Sequence, residues 1–124
     1  MLRELRNARQ VAGERKRRWF LCNEIDLVVW EEDSEVISAF QLAYDKHRDE
    51  HCISWKKDEG FVHYVVDAGE PFPGVNNTPL LYADGAFECN RVLARFLDLA
   101  SEVPLNIVTF VESKLREFNR PHIP

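Results

Sequence analysis

The sequence predicts an α+β protein: an antiparallel β-meander of four to five strands, two C-terminal helices on one face of it, and a short N-terminal helix. Two observations carry this. Between Trp19 and Asp67 the chain repeats short runs of β-branched and aromatic residues, broken by polar turn residues, the pattern of consecutive antiparallel strands. Between Asp84 and Phe118 the apolar residues recur instead at helical spacing, with no βαβ alternation to suggest a parallel sheet.

Length and composition frame that reading. A chain of 124 residues fits one domain spanning 1–124, with a core of ordinary size. Hydrophobic residues make up 45% and charged residues 30%, which separates the chain from disordered sequences. No apolar run approaches the roughly 18 residues of a membrane span, and no apolar core follows the N-terminal charges as in a secretory signal. Cys22, Cys52 and Cys89 are odd in number and widely spaced, so a reducing, cytoplasmic setting is expected rather than a disulfide framework. The sequon-like Asn76-Asn77-Thr78 reads as loop sequence in that setting.

The first 17 residues form a basic segment. From Met1 to Arg18 there are seven Arg or Lys against Glu4 and Glu14, although the whole chain is −5. Leu2, Leu5, Ala8 and Ala12 make a thin apolar stripe, which predicts a short helix over Met1–Val11 ended by Gly13. A basic arm can serve nucleic acid. No aromatic residues interleave with its charges before Trp19, so nucleic acid is not the expected partner and a solvated, dispensable helix is.

The meander covers residues 19–67. Its runs are Trp19–Cys22, Ile25–Glu31, Val36–Tyr44, Cys52–Lys57 and Phe61–Asp67. Turns at Asp33-Ser34, His47-Arg48 and Glu59-Gly60 set a register. In it Leu27 faces Phe40, Phe40 faces Trp55, and Trp55 faces Tyr64. One face then collects Ile25, Leu27, Val29, Phe40, Leu42, Ile53, Trp55, Val62, Tyr64 and Val66, the side expected to meet the helices. The second face collects Asp26, Val28, Trp30, Ile37, Ala39, Gln41, Ala43, Cys52, Ser54, Lys56, His63, Val65 and Asp67.

Residues 68–79, with three prolines and two glycines, read as a loop, since proline fixes φ and removes a donor. A loop of this length is uncommon unless it covers something. Leu80-Leu81-Tyr82 reads as a short edge strand. In 84–118, Asp84 is placed to cap a first helix whose apolar face is Cys89, Val92, Leu93, Phe96, Leu97 and Ala100. Pro104 opens a second helix, with Leu105, Val108, Val111, Leu115 and Phe118 along one side.

The chemistry legible in these residues is sparse. His47 and His51 bracket a hairpin tip, where their rings would diverge, so the pair reads as a solvated turn rather than a metal site. No metal and no cofactor is expected. Cys52 with His63 reads as a structural thiol beside a sheet histidine, because nothing marks an oxyanion hole. The second sheet face is the better candidate: Ala39, Ala43 and Ser54 leave space, Trp30 makes a wall, and Asp26, Gln41, Ser54, Lys56 and His63 supply polar contacts for a small polar ligand. The same face, with Val28, Trp30 and Ile37 together, is also apolar enough to serve as a homodimer contact.

Five stretches carry a resemblance: Arg17-Arg18-Trp19-Phe20, Asp26-Leu27-Val28-Val29-Trp30, Phe40-Gln41-Leu42-Ala43-Tyr44-Asp45-Lys46, Thr78-Pro79-Leu80-Leu81 and Ala83-Asp84-Gly85. Over about residues 17 to 100 the chain resembles a family of small bacterial proteins with no assigned activity. That resemblance implies a bacterial cytoplasmic origin and transfers no functional residue. The leading functional expectation is a non-catalytic protein-interaction or small-ligand-binding domain. An acid–base enzyme on the second face, with Asp26 or His63 as base and Lys56 stabilising negative charge, is the alternative, and a nucleic-acid accessory protein the weaker one.

Overall fold

A computed structural model of the chain describes residues 1–5, 16–32, 36–47, 50–65 and 88–118. Six strands are present there: β1 (Arg3–Glu4), β2 (Lys16–Leu21), β3 (Asp26–Glu31), β4 (Ile37–Tyr44), β5 (His51–Lys56) and β6 (Gly60–Val65). They form one antiparallel sheet in sequence order. Two helices follow, α1 (Cys89–Leu99) and α2 (Leu105–Phe118). The expected α+β meander with C-terminal helices is therefore present, with more strands than the four to five predicted. The 68–79 loop, the Leu80–Tyr82 strand and the Asp84 cap lie outside the described residues.

The N-terminal helix is corrected at its start. Arg3 and Glu4 are strand, paired with Leu21 and Phe20, and Leu2 is fully buried. The amide of Leu2 donates to the Leu99 carbonyl at 2.7 Å, and that of Leu5 to the Trp19 carbonyl at 2.8 Å. Periodicity misread the segment because the two Leu residues serve different ends: Leu2 enters the core, whereas Leu5 is 47% exposed. Residues 6–15 are outside the described set.

The central hairpin has the expected register. Phe40 faces Trp55, Gln41 faces Ser54 and Leu42 faces Ile53. Asp45, which leaves β4, takes φ 55°, a left-handed conformation that a short polar side chain tolerates. In the β3–β4 hairpin the pairs are Leu27–Leu42 and Val29–Phe40, not Leu27–Phe40, and the register shifts between Trp30 and Glu31. Glu32 and Val36 bracket the turn through a 2.7 Å amide–carbonyl bond, one residue longer than a two-residue loop. An extra residue on β4 at the irregularity adds a second step. Two single-residue steps restore the alternation, so each side chain from Ala39 onward keeps its expected face. Ile37 alone, on the turn side of the irregularity, moves to the helix side and joins the core.

The β5–β6 hairpin is the substantive correction. Lys56 pairs with Gly60, Trp55 with Phe61, Ile53 with His63 and Cys52 with Tyr64. A two-residue turn at Glu59-Gly60 does not form. Instead the Glu59 amide donates to the Lys56 carbonyl at 3.0 Å, and Gly60 at φ 80° re-enters the strand, the three-residue loop that ends in a left-handed glycine. The register moves by three residues, an odd number, and every β6 side chain changes face. Phe61, His63 and Val65 point to the helices; Val62 and Tyr64 point away from them. Val62 is accordingly 41% exposed and His63 only 6%.

The helices cover the Phe40 and Trp55 face as expected. Phe20, Leu27, Val29, Phe40, Leu42 and Ile53 form the core with Val92, Phe96, Ile107, Val111 and Leu115. Phe40, Trp55 and Phe110 make an aromatic cluster, with centroids 5.2 to 6.4 Å apart, and Lys114 lies over the Trp55 ring at 4.5 Å. Two helical positions depart from expectation. Leu97 and Leu105 are 40% and 78% exposed, and Ile107 occupies the core position because α2 turns a different arc toward the sheet. No helix among the described residues is long and apolar enough to cross a membrane.

Candidate functional site

Register determines what the second sheet face presents. Three rows cross it: Arg17–Trp30–Ala39–Lys56–Gly60, Trp19–Val28–Gln41–Ser54–Val62 and Leu21–Asp26–Ala43–Cys52–Tyr64. Val28, Ala39, Cys52 and Ser54 are buried, whereas Trp19, Trp30 and Tyr64 remain partly exposed. β-Branched and small residues pack between larger neighbours on a pleated surface, and the accessible residues here include these three aromatics beside Arg17, Gln41, Lys56 and Val62. Of the candidate residues, Asp26, Trp30, Gln41, Ser54 and Lys56 share this face. His63 lies on the opposite one.

At one end of the face the polar groups pair with one another. Lys46 donates to Asp26 Oδ1 at 2.8 Å and to the Cys22 carbonyl at 2.9 Å. Burial pushes the Glu50 carboxyl above its ordinary range, with the Asp26 charge adding to it and Lys46 opposing. Asp26 is thus held as the partner of a lysine. Lys56 points outward and pairs with Glu59 at 3.7 Å, more than half of its side chain in solvent. Beside Tyr64, burial pushes the Cys52 thiol up to about 11, so at neutral pH it is protonated and a poor nucleophile. The phenol of Tyr64 is itself raised, chiefly by burial and then by Cys52.

The titratable groups missing from this face gather on the other. Tyr44, His51 and His63 project from β4, β5 and β6 toward the helix layer. Their rings lie nearly parallel, with centroids 5.7 Å (Tyr44–His51), 6.0 Å (Tyr44–His63) and 5.5 Å (His51–His63) apart. The Tyr44 hydroxyl and His63 Nε2 are 2.5 Å apart. Phe118, at the end of α2, meets the His63 ring edge-on at 6.0 Å and the Phe61 ring at 5.0 Å. Stacked rings direct their in-plane lone pairs past one another, so the two imidazoles do not converge on a common metal. Among the described residues no group of three or more His, Cys, Asp or Glu side chains is placed to hold an ion. Sequence reasoning missed this cluster because His63 was assigned to the wrong face. The tripeptide Glu59-Gly60-Phe61 held the relevant signal, since a left-handed glycine suits the end of a three-residue loop as well as a two-residue turn.

Helix α1 is clamped to this end of the sheet. Arg91 grips both Asp45 carboxylate oxygens at 2.9 Å and also bonds Glu88. Arg95 grips Glu24 at 2.7 and 3.1 Å and bonds Asp98. Both guanidinium groups are raised above their ordinary value, Arg91 by Asp45 and Glu88 and Arg95 by Glu24, while Glu24 is lowered by Arg95. These pairs tie the β2–β3 and β4–β5 turns to one helix.

No protein-family profile, curated protein or solved structure matches this chain. The chemistry of the faces therefore rests on the residues themselves.

Proposed function

We propose that the chain is a non-catalytic binding domain that meets a protein partner through the second sheet face, a second copy of the chain being the first candidate. One observation carries the reading. The β5–β6 register removes His63 from that face and leaves partly exposed Trp19, Trp30 and Tyr64 around small buried residues. An acid–base enzyme on this face would take Asp26 or His63 as base, with Lys56 stabilising negative charge. Here Asp26 is paired with Lys46, Lys56 lies in solvent beside Glu59, and His63 is across the sheet. A binding surface needs none of these as catalysts; aromatic side chains amid small neighbours suit a flat contact. The three cysteines are free thiols, which suits a chain working in a reducing, cytoplasmic setting.

Sedimentation velocity across a concentration series tests this. The wild-type chain is expected to self-associate, and Trp30→Glu to remain folded and monomeric. A wild type that is monomeric at the highest concentration would remove the second copy as partner. A Trp30→Glu chain that unfolds would show the face to be internal and end the contact-surface reading.

A further inference from the structure

We infer that the second copy stacks face to face about a two-fold axis lying along β4, so that Trp30 of each copy sits over Lys56 of the other. The inference rests on the second-copy reading above and adds the orientation of the pair and its central contact.

The second face is uneven from one side to the other. Its β2 and β3 side carries Trp19 and Trp30, both partly exposed, whereas β4 and β5 carry Ala39, Ala43 and Ser54. Well-made contacts are close-packed, so two such faces fit where bulky residues of one copy meet small ones of the other. Stacked sheets admit two in-plane two-fold axes. An axis across the strands lays each strand on its own symmetry mate and reverses the order of the rows. Trp19 then meets Trp19, Ser54 meets Ser54 and a gap is left over β5. An axis along β4 keeps the rows in order and lays β3 on β5 and β2 on β6. Val28 then meets Ser54, and Trp19 meets Val62, which is 41% exposed.

Electrostatics separates the two axes in the same direction. The face of an indole ring is negative, so it attracts a cation and repels a carboxylate. The axis across the strands sets Trp30 against Asp26 of the second copy; the axis along β4 sets it against Lys56. More than half of the Lys56 side chain is in solvent, and its pair with the equally accessible Glu59 is 3.7 Å long, so little is lost when the ammonium moves onto a ring. The helix side already uses this contact, with Lys114 4.5 Å from the Trp55 centroid. Twist sets stacked sheets about 30° apart, and the register is kept best beside β4, where Trp30 and Lys56 lie one strand to either side. At about 4.8 Å between strands and 3.3 Å per residue, the face spans roughly 24 by 20 Å, so the pair covers about 1,000 Å² in total. That reaches the lower bound for a specific contact and suits a dimer that dissociates on dilution.

Sedimentation velocity of full-length variants, each checked for fold by circular dichroism, tests the arrangement. Trp30→Lys sets an ammonium over Lys56 of the second copy, and Lys56→Glu sets a carboxylate over the Trp30 ring, twice per dimer in each case. Either variant alone is expected to associate at least about tenfold more weakly than the wild type. Mixed in equal amounts, the two should regain association near the wild-type level, because the introduced lysine meets the introduced glutamate and the other contact is native. Should Trp30→Lys fail to fold, Lys56→Arg decides: it should associate as tightly as the wild type, since a guanidinium also stacks on a ring, while Lys56→Glu remains about tenfold weaker. A wild type that stays monomeric removes the second copy itself. A wild type that associates, with variants that associate equally well alone or gain nothing on mixing, keeps the second copy and overturns the Trp30–Lys56 arrangement.

Discussion

Replacing Leu2 by Ala probes the feature least expected from the sequence, a core residue inside a basic N-terminal segment. Leu2 is completely buried and belongs to the main core cluster, and its amide is anchored to the Leu99 carbonyl at the end of α1. Removing three buried carbons forfeits about 2.4 kcal/mol of transfer free energy at roughly 0.8 kcal/mol per carbon. A residual cavity between the β1–β2 edge and α1 adds to this, giving a total of about 3 kcal/mol. For a chain of this size the unfolding entropy near the midpoint is about 0.26 kcal/mol per degree, so Tm should fall by about 12 °C. Calorimetry alongside urea titration measures it. Leu5→Ala is the control, because Leu5 is nearly half exposed and should cost under about 1 kcal/mol. If Leu2→Ala and Leu5→Ala melt together, the N-terminus is the dispensable arm that its composition implies, and its docking against α1 is wrong.

Further outcomes follow from the same geometry. Trp55→Ala, which opens the cluster with Phe40, Phe110 and the Lys114 stem, should cost about 3–5 kcal/mol in urea unfolding; a change under about 1 kcal/mol would place Trp55 outside the core. Gly60→Ala meets no atom within 4 Å of the added carbon but keeps a φ of +80°, so its cost is the left-handed backbone alone, about 1–2 kcal/mol; no loss of stability would mean that the loop relaxes to another turn. Arg91→Ala removes the half-exposed clamp on Asp45 and should cost no more than about 1 kcal/mol, shrinking with added salt; a salt-independent loss would mean that the guanidinium acts through packing.

Local pattern decided much of this molecule. Short runs of β-branched and aromatic residues broken by polar turns specified five of the six strands, because such side chains suit a pleated, buried surface. Helical spacing at Cys89, Val92, Leu93 and Phe96 specified the face of α1, and the fold class came with it. Three of the matters bearing on function were decided elsewhere. Arg3 and Glu4 are strand because β2 offers an edge to pair with, and two residues have no period from which this could be read. Ile37 enters the core because an irregularity on β4 changes its face, while two offsetting steps leave the rest of β4 as expected. His63 moves from the proposed ligand face to the helix side because Gly60 closes a three-residue loop, and an odd slip inverts a whole strand. The candidate residues Asp26, Trp30, Gln41, Ser54 and Lys56 were legible as one face because they sit on strands whose parity survived. The Tyr44–His51–His63 stack was not, because it depends on the parity of the one hairpin where two turns suit the same glycine and only packing against Phe118 and the helix layer selects between them.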